Sequence, residues 1–467
     1  MNKAVFAAVA AVVGVSAYSA EITDMLVRQQ WPWSTDVKVE YRVTDVTGPQ
    51  KLKVTFSDGT KPLAAAGFAA SVRGDWYGVY ENGTKSFTFD PVKAFGVSSG
   101  EIGDLRVKLE LEATDIEWGE VLYKVFDLND GSVKNITRGM FMSGEMGEWE
   151  SDFSRIGHNF NTSLSDLVIW TAVTNDISYK KDKLVMRKVK AAGREDLIVG
   201  TENAWDNNFG TEPRHAVRLT EDYFIGVFAL TRHQYAKITG SAADEATATH
   251  PAVNVSYYDI GSGYAGGATG TLPGGGTEVV NWPTNSFRHL VADGKFMDKL
   301  RKLTNVQFDL PTEAQWEVAC RAGTTTELNS GKNITDWYVL CPNIEDLAWG
   351  RKSDYADVGG TPQAMPVGLK KPNALGLYDM HGNVAEMCLD VYVEDIDVTG
   401  GGDPLTDPVG ALYPAADAAR TKRGGWANAS TGNAVMRSSN RNNWYNPGQS
   451  SALVGLRVVC PAADSWK

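Results

Sequence analysis

"GLYDMHGNVAEM", residues 376–387, gathers two glycines, an Asn, an Asp, a His and a Glu into twelve positions behind an aromatic turn. Asp379, His381 and Glu386 have the residue types of an acid/base centre, but the glycines suit another chemistry better. Hard cations such as Ca²⁺ take oxygens from carboxylates, side-chain amides and backbone carbonyls, and Gly lets a loop turn its carbonyls inward. Asp379 and Glu386 give two carboxylates seven residues apart, and Gly382 and Val384 can add carbonyls between them. Imidazole suits calcium poorly, so His381 is expected to shape the loop through a hydrogen bond. The competing reading is a solvated loop held by Asx turns.

Around this stretch, 467 residues exceed one ordinary core and imply two or three domains. The 43% hydrophobic and 22% charged fractions, with 14 Trp, 17 Tyr and 16 Phe, are those of a globular chain. A net charge of −12 argues against nucleic-acid partners, because phosphate contacts need a basic surface. Residues 1–20 read as a secretory signal, with Lys3 ahead of the apolar run Ala4 to Val15 and small-residue cleavage points near Ala17 and Ala20. That run is too short to span a bilayer, and no later run reaches roughly eighteen apolar residues, so no membrane span is expected. The expected location is secreted, periplasmic or cell-surface. Cys320, Cys341, Cys388 and Cys460 form an even set without a CxxC, leaving three disulfide pairings open.

Residues 21–117 carry short alternating runs, "VKVEYRV", "KLKVTF", "SFTFD" and "LRVKLELEA", broken by turn residues. Such runs are antiparallel strands with one buried face, and a β-sandwich domain follows. Residues 118–190 continue with "VLYKVFDL", "DLVIWTAV" and "KLVMRKV", a β-rich connecting region whose ownership the pattern leaves open. From 191 to 463 the texture becomes Gly-, Asn- and Trp-rich loop with helices in "LTRHQYAKITG" and "TEAQWEVACRAG", each opened by a Thr cap and closed by Gly240 or Gly323. Loops that long are usually functional, or held by metal ions and disulfides.

Seven segments of this last region resemble, in order, the sulfatase-modifying-factor family, whose type member is the formylglycine-generating enzyme. They are "YFIGVFALTRHQYAKITG" (223–240), "HPAVNVSYYD" (250–259), "LPTEAQWEVACRAGT" (310–324), "PVGLKKPNALGLYDMHGNVAEM" (366–387), "RGGWAN" (423–428), "RSSNR" (437–441) and "VGLRVV" (454–459). The resemblance implies an α+β chain, an N-terminal β-sandwich-like domain followed by a C-type-lectin-like fold with much irregular structure. It implies structural calcium at Asp379, Gly382, Val384 and Glu386, and a second ion at Asn343, Ile344 and Asp357. It also implies a disulfide between Cys320 and Cys460, the latter displaced by two residues along its strand. The stretch "RQQWPWSTDVKVEYRV" (28–43) is similar to a β-domain that precedes such modules in secreted bacterial proteins.

The family's oxidases bind copper through two cysteines between "RGG" and "RSSNR". In "RGGWANASTGNAVMRSSNR" Ala429 and Ala434 stand at those places, and Met436 is a lone thioether. Copper needs soft sulfur ligands within mutual reach, so copper chemistry is not expected. The related sulfoxide synthases use a three-histidine iron site; here no two of the six histidines lie within four residues of each other. The Gly-rich "GGATGTLPGGG" (266–276) lacks a leading strand and contains Pro273, against a nucleotide loop. No GxSxG or HExxH is present, and Asp390 with Glu394 is an ordinary surface spacing in an acidic chain.

A binding surface remains. Asn442, Asn443, Trp444, Tyr445 and Asn446 combine stacking area with adaptable hydrogen bonds ahead of the closing strand. Some lectin-like modules of the family display variable residues in this loop. Arg437 and Arg441 are expected to tie down loop carbonyls. The sequence thus reads as an exported, non-catalytic binder of extracellular protein or glycan; the alternative is an oxidoreductase of the family with an altered centre. Oligomeric state is not encoded in these patterns.

Overall fold

The computed structural model describes residues 8–13, 20–29, 34–79, 81–97, 102–114, 117–150, 168–202, 212–261, 291–336, 341–350, 363–393, 404–408, 419–426, 433–444 and 447–462. The chain forms two units, residues 1–122 with 136–149, and residues 123–135 with 150–467.

In the first unit the strand Val37–Thr44 shows why the segment folds as it does. Val37, Val39, Tyr41 and Val43 face inward while Lys38, Glu40 and Arg42 alternate outward, the period-2 pattern of a half-buried strand. It pairs antiparallel with Glu21–Gln29 and Gly83–Phe89. A second sheet is built on Gln50–Asp58 against Asp104–Ala113, where Leu105, Val107, Leu109 and Leu111 point into the same core. Phe56 meets Phe68, Phe89 and Phe95 at centroid distances of 4.9, 5.2 and 5.1 Å, joining the two sheets as a sandwich. Gly78 is required by close approach: a Cβ there would sit 2.2 Å from the Trp118 ring, whose indole N–H donates to the Gln50 carbonyl at 3.0 Å. The apolar run read as a signal supplies Ala8–Val13, which lies as a strand parallel to Asp104–Ala113.

The second unit absorbs most of the region that sequence left unassigned. Val121–Asp127 and Lys183–Val189 are neighbours in a five-stranded sheet, followed by Tyr223–Gly226 and Val459–Pro461. The beginning and end of the module therefore close on one another. A four-stranded sheet runs in the order Asn442–Trp444, Arg420–Arg423, Ala385–Val391, Val454–Gly455.

Helix Arg232–Thr239 starts at a Thr231 capping box and stops at Gly240, with φ 78°. Helix Glu313–Arg321 has the corresponding box at Thr312, but Ala322, at φ 44°, takes the left-handed cap one residue before Gly323. Every residue of this second helix is buried. An all-buried helix carrying Glu313, Glu317 and Arg321 needs partners for each charge, and those partners organise the site below. Among the described residues no helix is long and apolar enough to cross a membrane. The fold class is α+β, mostly sheet with few helices, as the sequence suggested.

Candidate functional site

The 376–387 loop runs into the fully buried strand Ala385–Val391. Asp379 (φ 57°), Gly382 (φ 89°) and Asn383 (φ 65°) supply its left-handed turns, and a Cβ at Gly382 would lie 2.6 Å from the Trp349 carbonyl. The Asn383 amide accepts from Met365 N–H at 2.8 Å and donates to Met365 O at 3.1 Å. His381 donates from Nδ1 to Met436 O at 2.5 Å and accepts at Nε2 from Asn329 N–H at 3.0 Å. Burial pulls its pKa down to about 4, so it is neutral with its proton on Nδ1. It shapes the loop and is closed to acid/base work.

Glu386 is spent inside the protein. Its carboxylate takes Arg457 Nη2 at 2.8 Å and Nε at 2.9 Å, and the Trp316 indole N–H at 2.7 Å. The other guanidinium donors reach Gly226 O (2.7 Å), Val227 O (2.9 Å) and Tyr378 O (2.7 Å), so all the N–H groups of Arg457 have acceptors. Both side chains are about completely buried, at 0% and 1% exposure.

The same logic repeats around helix Glu313–Arg321. Glu313 receives Arg441 at 2.6 and 2.8 Å and the Thr421 hydroxyl at 2.7 Å. Glu317 receives Arg321 at 2.8 Å, Arg423, and Gly200 N–H at 2.8 Å. Glu212 receives Arg437, Ser439 and Asn440. Burial pushes the Glu313 and Glu317 carboxyls up, but Arg441 and Arg321, each with Arg423, hold both below the usual range. Asp390 lacks that surplus of cations: burial, then the charge of Glu313, raises its pKa. Arg437 and Arg441 are thus fold-tying residues, as expected.

For a calcium ion, the fit differs along the predicted set. The Glu386 carboxylate is filled by Arg457 and Trp316, so the expected two-carboxylate clasp is not assembled. Asp379 is buried, accepts from Gly368 N–H at 2.7 Å through Oδ2, and leaves Oδ1 without a hydrogen-bond partner among the described residues. Burial raises its carboxyl to about 6. That orphaned oxygen, with the Gly382 and Val384 carbonyls, is what the loop can offer a cation. Among the described residues no three His, Cys, Asp or Glu side chains gather as a metal set. Asn343 donates its amide to Asn333 O at 2.8 Å, and Asp357 lies outside the described residues.

The cysteines correct the disulfide expectation: all four are buried and free. Cys320, on its helix, faces Met380 O at 3.8 Å and the Ser438 hydroxyl at 3.6 Å, whereas Cys460 sits opposite Phe224 in the five-stranded sheet. Burial pushes both thiols up to about 12. At Cys341 burial acts the same way, but hydrogen bonds from Thr335 and neighbouring backbone N–H groups outweigh it and lower the thiol. Ala434 is half-buried in the short 3-10 turn Asn433–Met436; Ala429 lies outside the described residues.

The expected ligand loop also differs in form. Asn442–Trp444 is a strand at the edge of the four-stranded sheet, with Asn442, Asn443 and Trp444 opposite Lys422, Thr421 and Arg420. Asn442 is half-buried; Tyr445 and Asn446 lie outside the described residues. A feature that sequence reading missed is a cleft of about 530 Å³ lined by Arg232, Tyr235, Asp244, Asn254 and Asp259. Its walls come from "LTRHQYAKITG" and "HPAVNVSYYD", each visible as a motif, and from the 241–247 segment between them, but only tertiary contact makes them a site.

Comparison with known proteins places these features. Residues 183–462 match the family model described as the sulfatase-modifying factor enzyme 1-like domain. A formylglycine-generating enzyme of Thermomonospora curvata is 30% identical over 155 residues, covering 32% of this chain and 48% of that protein. A protein named chaperone protein LppX, from Paenibacillus barcinonensis, is 38% identical over 86 residues, 17% of this chain and 30% of the relative. The chain therefore spans less than half the length of these curated relatives. The solved structure of Treponema denticola variable protein 1 aligns with 60% of this chain and 95% of its own, at 22% identity and TM-score 0.42.

Two measurements check the polar core. Arg457→Met leaves Glu386 buried without its cation, and urea unfolding should show a loss of about 3–5 kcal/mol, partly recovered in Arg457→Met/Glu386→Gln; a single-variant loss indistinguishable from zero contradicts the assignment. The raised Asp390 carboxyl keeps a proton that the unfolded chain releases. Its stabilising contribution is present in acid and is lost as pH rises from about 4 through the folded-state pKa. Asp390→Asn should therefore gain stability over the parent as pH rises across that window, and parallel pH profiles for the two proteins would exclude it.

Proposed function

Since the chain belongs to the sulfatase-modifying factor enzyme 1-like family, we propose that it is an exported member that binds a protein or glycan outside the cytoplasm and does not oxidise cysteine. The observation that carries this reading is the absence of any cysteine between Cys388 and Cys460, the span holding the segment from Arg423 to Arg441. Ala429 and Ala434 offer copper no donor there. Further support comes from the thiols that do exist, which are buried in the core. Copper bound by a thiolate pair would supply oxygen activation; this segment holds no thiol, and its one sulfur is the lone thioether of Met436.

The proposed ligand face is the Asn442–Trp444 edge strand together with the adjoining residues Tyr445 and Asn446. An edge strand leaves one side of its backbone unpaired, which favours a partner read by hydrogen bonds and aromatic stacking. Calcium is proposed as a structural ion held by Asp379 Oδ1 with the Gly382 and Val384 carbonyls, and Glu386 leaves the ligand set. The second ion, at Asn343 and Asp357, rests on the resemblance alone.

Purified protein incubated with copper and a Cys-Thr-Pro-Ser-Arg peptide should return the peptide at unchanged mass. Formylglycine at the cysteine would falsify the binding-only reading. For calcium, the protein as purified should carry metal by elemental analysis, and chelation should lower its melting temperature. A metal-free preparation that melts at the same temperature with and without calcium removes the ion from the proposal.

A further inference from the structure

The cleft formed by helix Arg232–Thr239 with the 241–247 and 252–259 segments has a chemistry that narrows what it can hold. Its volume of about 530 Å³ lies within the range of about 300–1,000 Å³ common to small-molecule sites. Asp244 spends both carboxylate oxygens locally, on the Ala246 N–H (3.0 Å) and the Thr247 hydroxyl (3.3 Å), whereas four other polar residues of the walls are anchored and keep a group open. Asp259 uses Oδ2 to accept the Ser256 N–H (2.9 Å) and hydroxyl (2.6 Å). Arg232 uses Nε for a long contact with Pro251 O at 3.4 Å. The Asn254 backbone donates to Ser451 O at 2.9 Å and holds φ 57°, a left-handed position that Asn tolerates. Tyr235 stacks on Phe296 at 5.1 Å with 12° between the rings. Asp259 Oδ1, the Arg232 terminal nitrogens, the Asn254 side-chain amide and the Tyr235 hydroxyl take no hydrogen-bond partner among the described residues.

We propose that this cleft binds a neutral sugar, the terminal residue of a glycan. The charge balance decides between ligand classes. The lining holds one cation, Arg232, and two acids, Asp244 and Asp259. An anion such as phosphate or a carboxylate would face both acids. An ammonium group would find only the Asp259 oxygen open, beside the Arg232 cation, because Asp244 already accepts from the Ala246 N–H and the Thr247 hydroxyl. A neutral polyol meets neither repulsion, and each hydroxyl both donates and accepts, so it can use Arg232 and Asn254 as donors and Asp259 as acceptor at once. Ala236 and Ala252 give a low apolar wall for the C–H face of a sugar ring. Because the groups are already anchored, little ordering cost opposes binding. The inference extends the binding reading above to a second surface and names its ligand class. The 447–451 segment joins that surface to the stretch following Asn446: Pro447 O accepts Tyr257 N–H at 3.0 Å, and Ser451 O accepts Asn254 N–H.

The test uses the full chain and saturation-transfer NMR with the methyl glycosides of glucose, galactose, mannose and N-acetylglucosamine at millimolar concentration. At least one should bind, and Arg232→Gln and Asp259→Asn should each weaken it about tenfold or more, the effect of losing one hydrogen bond to a charged group. Asn254→Gly keeps the left-handed backbone, removes the amide, and should also weaken binding. Circular dichroism melting of each variant separates lost binding from lost folding. Absence of binding by all four glycosides overturns the proposal. So does binding that Arg232→Gln, Asp259→Asn and Asn254→Gly leave unchanged but Asn442→Ala abolishes, an outcome that moves the glycan to the edge strand and leaves the binding reading standing. Preferential binding of phosphate or of a lysine-containing peptide that Arg232→Gln or Asp259→Asn alters also overturns it.

Discussion

The Arg457–Glu386 pair, with Trp316 and three backbone carbonyls around it, is the constraint on which the second unit turns. One guanidinium joins the strand end at Gly226 and Val227, the 376–387 loop at Tyr378, and the strand that carries Glu386. In a medium of low dielectric no member of that set can be left unpaired cheaply, so the four segments must come together or not at all. The pair fills the space and the charge requirement that a cation would otherwise meet at Glu386.

Five of the segments that identify the family are also the segments that supply these charges, Glu386 coming from "PVGLKKPNALGLYDMHGNVAEM". "LPTEAQWEVACRAGT" brings Glu313 and Glu317; "RGGWAN" brings Arg423; "RSSNR" brings Arg437 and Arg441; "VGLRVV" brings Arg457. The signature is accordingly the polar core of the fold. A module with so few helices and such short strands cannot specify its loops by backbone ladders alone. Buried side-chain networks, complete at Arg457, add the missing constraints, because breaking one leaves a charge unpaired in the core.

The same packing surrounds Ala434. Ala434 sits in a turn whose neighbours Val435 and Met436 pack into the core, while the adjoining Arg437 is tied to Glu212. Among the described residues, the ion pairs of Glu212, Glu313, Glu317 and Glu386 are made without the Ala434 side chain. Among the described residues, open polar groups of the second unit lie in the cleft of Arg232 and Asp259, whose side chains take no part in the buried ion pairs.

Local sequence determined a great deal. Alternation in "VKVEYRV" and "LRVKLELEA" gave the sandwich faces, because side-chain direction in a strand has period 2. Thr231 and Thr312 marked their helices through caps that span three residues, and His381 was readable as a structural hydrogen-bonding group from its poor match to calcium. Partner choice was beyond that reach. Glu386 finds Arg457 71 residues away and Glu212 finds Arg437 225 residues away, and no short-range pattern says which acid meets which base. The same limit hid the free state of Cys320 and Cys460, the strand at Asn442–Trp444, and the cleft shared by Arg232 and Asp259. Periodicity and capping are set by neighbours along the chain, so sequence alone decides them. Ion pairs, ladders and clefts are set by which distant segments pack together, and only the tertiary structure decides that.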